Sequence, residues 1–590
     1  MLGQVSRTVL GGFLFGAVLL TATCGTSKAP ARPSAILVTI DTLRADALSP
    51  YGAPRFVSPY LERLAVDCVR YTQARSVAPL TLPAHASMLT GLYPPRHGLR
   101  DNGLCALPAE ARSIAEVARG AGIQTAAFVS ALVLDRAFAL DQGFDTYDQP
   151  PRPEQQVSSH YVERSAAETV ASARAWMAKR DSTQPFFLWV HLYDPHVPYA
   201  PPAQFLEQTN GNAYRGEIAA VDAALGPWLQ ELKSDGTLAQ TFLAITSDHG
   251  ESLGEHGEPT HGAFCYDATM HIPLLVRYPD GRRGGSVADE LVTLADVAPT
   301  LASAMGLPEL PDIDGVSLYD RTPPADRGVY CESYSGFLNY GWSPLAGWIA
   351  REGKYLHSSR PEFFNLRRDA RELHDLFPAP KPAVGKAKDA MSHMLAQRVL
   401  LTDNTAAQIP EDLVRDLRQL GYGASGTTLA QIPHPLEPSE LPAPRDGAAE
   451  LEPLLIASAL LDARNFGEGA AILARIVADN PRHLLALDLY GFALLQLERN
   501  EEARSVLSQR ATLGIARADT LVNWAVACER SEHPEEAREH FEAALALDSA
   551  SQQALEGLLR LARARADGEQ VRELEKRIAA ARQLADGMGK

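Results

Sequence analysis

Cysteine is scarce in this chain: six residues in 590, at positions 24, 68, 105, 265, 331 and 528, with no Cys-x-x-Cys pair. That pattern excludes a disulfide scaffold and a cysteine-built zinc site. Positive charge is short as well, with 55 Lys and Arg against 72 Asp and Glu and a formal net charge of −17. Non-specific nucleic-acid binding needs a cationic face that releases counterions, so no nucleic-acid partner is expected. An acidic mean does not exclude an anionic substrate, because a bound metal cation inverts the local field. The apolar run at 9–24 holds only 16 residues, short for a helix that spans a bilayer.

What is present is ordinary for globular protein: 46% hydrophobic and 22% charged residues, in a length that suggests several structural units. The 9–24 run follows a single basic residue, Arg7, and suits the apolar core of a signal peptide. It ends in Leu20-Thr21-Ala22-Thr23-Cys24-Gly25, which resembles the bacterial lipoprotein signal, where the cysteine becomes the lipid-bearing N-terminus. Thr23 departs from the usual Gly or Ala, and plain secretion or an uncleaved anchor are the alternatives. Each version exports the chain, to a periplasmic or cell-envelope location. Residues 25–34 then read as a tether.

From 35 to 378, short β-branched apolar runs alternate with amphipathic stretches. Strands are expected at 35–40, 123–129, 186–193, 241–246 and 273–277, and helices at 59–68, 109–121 and 165–179. Near-continuous apolar strands alternating with helices predict an α/β unit with a buried, largely parallel sheet covered on both faces. Residues 379–425 read as helical and poorly packed. The stretch 427–446 holds five prolines and reads as a linker, so 379–447 is a helical tail and linker. Beyond it, Gly469, Ala503 and Ala537 recur every 34 residues, so 448–583 resembles an all-α tetratricopeptide repeat array, with 552–583 as a capping helix pair. Such arrays hold a peptide or protein partner in a groove, or else pack on the catalytic unit or on each other.

Three aspartates close three of the expected strands: Asp41, Asp194 and Asp248. Ligands bind outside the carboxyl ends of strands in open α/β sheets, and carboxylates gathered there repel each other unless a cation lies between them. His249, His196 and His261 follow closely. Mixed Asp/His donors suit zinc or manganese, whereas calcium prefers oxygen alone. Thr81 opens Thr81-Leu82-Pro83-Ala84-His85-Ala86-Ser87, where Pro83 marks a first helical turn. It is either a plain N-cap or a nucleophile whose alkoxide is stabilised by the helix dipole and a metal. His85 either hydrogen-bonds near the nucleophile or closes the helix start, and Glu251 either supports the ligands from behind or is a solvated first-turn carboxylate; His97 in a turn and His256 in a loop read as structural. The aromatic group Tyr330, Tyr334, Phe337, Tyr340 and Trp342 reads either as a substrate entrance or as a packed loop.

Together ILVTIDTLRAD, TLPAHASMLTGLYPPRHG, DQGFD, PFFLWVHLYDPHVPY and SDHGESLGEHG resemble the sulfatase branch of the alkaline phosphatase superfamily over residues 35–377. The resemblance implies a mixed, mostly parallel sheet sandwiched between helices. Sulfatases carry Cys or Ser where Thr81 stands, matured to formylglycine, with Arg in place of His85 and a second acid in place of Thr42. Oxidised threonine would be a ketone, so no formylglycine is expected. The nucleophile segment is similar to that of nucleotide pyrophosphatase/phosphodiesterases, in which threonine attacks phosphorus and an Asn 21 residues later, here Asn102, holds a phosphate oxygen. SDHGESLGEHGEPTHG resembles the phosphoethanolamine transferases in its 12-residue spacing from His249 to His261. On this mapping Asp41, Thr81, Asp248 and His249 hold one divalent metal, zinc ahead of manganese or calcium. Asp194, His196 and His261 either hold a second or, in the case of the histidines, bind the anion directly together with Asn102.

The expected activity is therefore cleavage or transfer of an anionic phosphoester, of phosphodiester type, through Thr81. Sulfate-ester hydrolysis is the alternative, and a pseudoenzyme acting through its repeats is the third reading.

Overall fold

The computed structural model describes residues 32–587, apart from 104, 151–163, 320, 402–408, 411–412, 414–431 and 514–516. The signal segment 1–24, Cys24, most of the tether and much of the 379–447 region lie outside the described residues.

The catalytic unit is built on an eight-stranded sheet. In chain order its strands are β1 (Ser34–Ile40), β2 (Val69–Arg75), β3 (Gln124–Phe128), β4 (Thr146–Asp148), β5 (Phe186–Leu192), β6 (Thr241–Thr246), β7 (Leu274–Arg277) and β8 (Val287–Thr293). Across the sheet they run β4-β3-β5-β1-β6-β7-β2-β8, with only β7 antiparallel to its neighbours. The apolar run Ser34-Ala-Ile-Leu-Val-Thr-Ile40 lies at the centre and is buried throughout.

Strand alternation divides its residues between two cores. Ala35 and Leu37 join the helices Thr81–Thr90, Ile114–Gly120 and Val297–Ala304 on one face, while Ile36, Val38 and Ile40 join Ala166–Lys179 and Ala213–Ser234 on the other. This is the mixed, mostly parallel sheet between helical layers, and it brings the carboxyl ends of β1, β5 and β6 side by side.

Several elements escaped the sequence reading, the three-residue edge strand β4 among them. β2 and β8 border the sheet with polar, half-exposed positions. A second sheet of four antiparallel strands follows: β9 (Val329–Ser333), β10 (Leu345–Ala350), β11 (Gly353–His357) and β12 (Glu362–Phe364). The helix expected at 109–121 begins only at Ile114, where Ser113 and Glu116 form a capping box.

The tail is better packed than expected. In the helix Lys381–Leu395, Val384, Ala387, Met391 and Met394 are buried against the first core. The described part of the proline-rich stretch lies along the catalytic unit: Tyr334 donates to Pro433 O at 2.8 Å, and Ser343 N–H donates to Pro442 O at 2.8 Å. Prolines that keep their carbonyls and lack an N–H suit such a one-sided strap.

The C-terminal region is an array of eight helices, from Ala448–Asp462 to Gly568–Gly587. Every second helix starts 34 residues after its predecessor, at Phe466, Asn500, Pro534 and Gly568, which is consistent with repeats. The last pair, expected as a cap, continues the same period. Gly469 stands where Ala503 and Ala537 pack, because a Cβ there would lie 2.7 Å from Leu461 Cδ2.

The array docks on the catalytic unit through Trp342. This buried indole closes on Gly447 and donates to Glu450 at 3.3 Å, while Asn480 donates to Tyr340 O at 3.0 Å. Among the described residues no helix is long and apolar enough to cross a membrane.

Candidate metal centre and nucleophile

Asp41 follows β1 directly, and its N–H donates to Leu192 O of β5 at 2.9 Å, so the two strand ends stay in register. Asp248 and His249 lie just past β6 on the other side. Thr42, with φ 53°, turns the chain away and donates from its N–H to Asp248 Oδ1 at 3.3 Å. Asp248 Oδ1 also accepts from His249 N–H at 2.8 Å. These contacts use up one oxygen of Asp248 and leave Oδ2 pointing inward without a partner.

Asp41 Oδ1 and Oδ2, Asp248 Oδ2 and His249 Nε2 are all buried and unpartnered. His249 Nε2 lies 3.5 Å from Asp248 Oδ2 and 3.9 Å from Asp41 Oδ1. Tetrahedral ligands on bonds of about 2.1 Å stand about 3.4 Å apart, so the spacing suits one cation. The tautomer agrees: His249 Nδ1 lies 2.9 Å from Gly250 O and carries its proton there, which leaves the Nε2 lone pair inward. Without a cation the cluster is electrostatically poor. Burial, then repulsion from Asp248, pushes the Asp41 carboxyl well above the usual range. Asp248 is opposed by burial but drawn down to about 2, chiefly by His249, His85 and His191. A divalent ion would relieve this conflict, and the residues present fit one.

Thr81 is the first residue inside its helix, and the N-cap position is taken by the extended Leu80. The plain N-cap reading therefore does not describe it. The Thr81 side chain is close enough to Asp41 to favour its ionised form. The backbone around it is held firmly. His85 Nδ1–H donates to Thr81 O at 2.8 Å, and His85 Nε2 accepts from Thr39 at 3.1 Å, whose oxygen in turn accepts from Trp189 Nε1–H at 3.0 Å. Burial pushes His85 down to about 3, so it is a neutral brace where sulfatases carry a cationic arginine.

Asn102 lies beside the same helix start. Its Oδ1 accepts from Leu82 N–H at 2.9 Å, and its Nδ2 is buried without a partner. A donor held in this way suits an anion bound above Thr81.

The remaining candidates separate. His196 and His261 join the site's edge, with ring centroids 5.0 Å apart and His261 4.6 Å from His249. His196 Nδ1 lies 2.7 Å from Val197 O, and His261 Nδ1 lies 2.9 Å from Glu251 Oε1. Both therefore carry their proton on Nδ1 when neutral, and burial holds them at about 3 and about 4. As neutral rings they accept a proton or a cation; they donate to an anion only once protonated.

Of the two readings of Glu251, the solvated carboxylate does not hold: the residue is fully buried behind His261, accepts from Tyr199 at 2.9 Å, and is pushed by burial up to about 7.

Asp194 is not brought to the cluster. β5 ends at Leu192, and Asp194 Oδ2 accepts from Ala166 N–H at 2.8 Å, at the start of the Ala166–Lys179 helix. His97 and His256 are structural, on Ser87 and on the ring of Tyr266. The aromatic group around Trp342 is a packed loop under the array rather than an open entrance.

Sequence reasoning missed His191. It lies on β5 opposite Thr39, fully buried, with Nε2 3.4 Å from Asp41 Oδ2 and no hydrogen bond. The available signal was alternation: 187, 189 and 191 share the face of 37, 39 and 41.

Residues 33–307 match the family model described as Sulfatase. They form a sulfatase-family domain. The chain is 27% identical over 408 residues to an ulvan-active sulfatase of Formosa agariphila, covering 60% of this chain and 78% of that one. It is 22% identical over 467 residues to an N-acetylglucosamine-6-O-sulfatase of Bacteroides thetaiotaomicron, covering 59% and 83%. The crystal structure of the phosphonate monoester hydrolase of Agrobacterium radiobacter has the same fold, with TM-score 0.53 and 20% identity, over 64% of this chain and 99% of that one. In this sulfatase-family domain Asp41 and Asp248 stand at strand ends, Thr42 follows Asp41, and Thr81 and His85 lie in the first turns of one helix. The Thr42 hydroxyl, standing where sulfatases have a second acid, is also buried without a partner.

Proposed function

We propose that this domain is a metal-dependent hydrolase in which Thr81 Oγ1 attacks phosphorus in a singly charged phosphoester, a phosphodiester above all. The reading rests on one observation: unpartnered atoms of Asp41, Asp248 and His249 converge at the helix start that presents Thr81. These four residues would hold the ion, with zinc favoured by the mixed donor set. When bound, the ion supplies Lewis acidity that lowers the pKa of the Thr81 hydroxyl and neutralises charge on the ester.

The chain's own groups carry the rest. The Oγ1–phosphorus bond forms, the bond from phosphorus to the departing alcohol breaks, and the group rests on Thr81. Asn102 Nδ2 donates to an equatorial oxygen as charge develops there. His261 Nε2, backed at Nδ1 by Glu251, takes the Thr81 proton and returns one to the departing alkoxide. It then repeats the exchange for the water or alcohol that releases the group.

Phosphorus is favoured over sulfur because threonine cannot mature to the formylglycine aldehyde. Sulfate-ester hydrolysis is the second reading, favoured by the names of the relatives. The 9–24 segment supports export to the cell envelope, with a lipid on Cys24, and the array supports a protein or peptide partner.

The test uses the chain without its leader, loaded in turn with zinc, manganese and calcium. Turnover of bis-p-nitrophenyl phosphate, p-nitrophenyl phosphate and p-nitrophenyl sulfate is compared with Thr81→Ala. Diester turnover that falls at least about 10³-fold in the variant supports the reading. Sulfate turnover lost in the same variant moves Thr81 to sulfur chemistry. Turnover indifferent to Thr81 refutes both.

A further inference from the structure

The central cluster contains one buried group for which the proposed reaction has no use. His191 and Asp41 face each other with two polar atoms, Nε2 and Oδ2, 3.4 Å apart, both buried and both without a hydrogen bond. A wholly buried imidazole nitrogen left in that state is expensive, and it is kept for a reason. Its neighbours define its proton. Ser130 N–H points at Nδ1 from 3.4 Å, so Nδ1 is the acceptor and Nε2 carries the hydrogen toward Asp41. Ser130 Oγ donates to His191 O at 2.7 Å, which fixes the backbone from the same side. The ring is further wedged edge-on by His85, with centroids 5.0 Å apart. His191 is thus a rigid donor aimed at one oxygen of Asp41 from behind, while His249 Nε2 faces the other oxygen from 3.9 Å.

We infer that His191 is a positioning residue of the metal centre: its Nε2–H takes Asp41 Oδ2 and turns Oδ1 toward the ion. The inference rests on the proposed metal-dependent reading and deepens it. Donation to the carboxylate stabilises its charged form, so that Asp41 enters the site ionised and in one orientation. It also sets a division of labour. Asp248 uses backbone N–H groups to occupy its outer oxygen, and Asp41, which has no such N–H, uses a histidine.

The rival reading makes Nε2 itself a ligand, through the opposite tautomer, since His191, His85 and Asp248 also place donor atoms within 4.8 Å of one another. His85 argues against that reading, because both its ring nitrogens are committed to Thr81 O and Thr39.

The experiment measures zinc affinity by chelator competition, and cobalt absorption spectra, for the parent chain, His191→Phe and His191→Gln. Loss of a partner of this kind weakens metal binding about 10–100-fold. His191→Phe is expected to fall in that range, with the cobalt band unshifted, and His191→Gln, which keeps an N–H donor, to recover most of the loss. A zinc affinity within 3-fold of the parent in both variants overturns the positioning role. A loss beyond about 10³-fold with a changed cobalt band makes His191 a ligand and also overturns it. If the Phe variant does not fold, His191→Asn replaces it, its amide being too short to reach Asp41 and so expected to match the Phe loss. A parent chain that binds neither metal defeats the metal-dependent reading itself, an outcome distinct from any of these.

Discussion

Asn102 has two side-chain ends with separate duties, which makes it the residue where anion binding and helix support come apart. Oδ1 accepts from Leu82 N–H, in the first turn of the Thr81–Thr90 helix, and Nδ2 is buried with no partner. Asn102→Asp keeps the shape and the Leu82 bond but replaces the donor with a second oxygen, whereas Asn102→Ala removes both ends. Losing one preorganised donor to a developing oxyanion costs about 2.7–4 kcal/mol, or 10²–10³ in kcat. In the Asp variant a charged oxygen also faces the anion. Two like charges at about 4 Å, with an effective dielectric near 20, repel by about 4 kcal/mol. That adds about another 10³-fold. Stability runs the other way. The Ala variant leaves Leu82 N–H buried and unpaired, at a cost of about 1–3 kcal/mol, and the Asp variant does not. Diester turnover at saturating metal, with urea unfolding of the same three proteins, should therefore rank activity as parent, Ala, Asp and stability as parent or Asp above Ala. The activity gap between the variants narrows as pH falls and the new carboxyl protonates. Equal activities of the two variants, or an Ala variant within 5-fold of the parent, would show that Nδ2 does not meet the anion. Activities that follow the stability ranking would make Asn102 a helix brace.

Two further predictions concern stability. Burial pushes Glu251 from 4.5 up to about 7, so the metal-free folded protein holds that proton more tightly than the unfolded chain does. This group's contribution is greatest below pH 4.5 and is lost as pH rises through about 7, by up to about 3 kcal/mol; Glu251→Gln should flatten that part of the slope in urea unfolding at pH 5 and 8, and an unchanged slope refutes the assignment. Trp342 is wholly buried between the catalytic unit and the array, so Trp342→Ala should cost about 3–5 kcal/mol and loosen the docking. Limited proteolysis should then cut between 432 and 447 and release the array, and a variant as resistant as the parent would mean the other contacts suffice.

The central sheet was legible because its strands are buried on both faces and so read as unbroken apolar runs. β1, β3, β5, β6 and β7 were placed to within a residue or two. β2 and β8 lie toward the sheet border, where Arg70, Thr72, Asp289 and Glu290 face outward, and their mixed polarity erased the signal. The 34-residue period survived because each repeat buries a small residue at the same helix contact, and it broke at Gly469 only where Leu461 comes too close for a Cβ. The proline-rich stretch misled for the opposite reason. Composition reports what a segment cannot do, which is to form a helix, but not that its carbonyls at Pro433 and Pro442 meet donors on the catalytic unit.

The same limit divides the site. An aspartate after a strand is easily seen in sequence, and for Asp41 and Asp248 the strand end also fixes direction, because the parallel pairing of β1 with β6 holds both carboxylates at one edge. Asp194 has the same signature, but it stands two residues past the last paired position, Leu192, and there the chain is free to turn its carboxylate to the helix at Ala166. His191 carries the complementary lesson. It sits inside an apolar strand where a lone histidine reads as filler, yet its register opposite Thr39 puts it on the same face as Asp41, one step back from the edge. Distance from the strand end therefore predicts a side chain's direction only while the ladder lasts; within it, parity decides. On that rule Phe187, Trp189 and His191 look toward Thr81 and its helix, while Leu188, Val190 and Leu192 look toward the opposite layer, and the two cores divide in this way. A buried polar residue of the right parity, one pleat behind a strand-end ligand, is thus placed to orient that ligand from behind, which is the role assigned to His191.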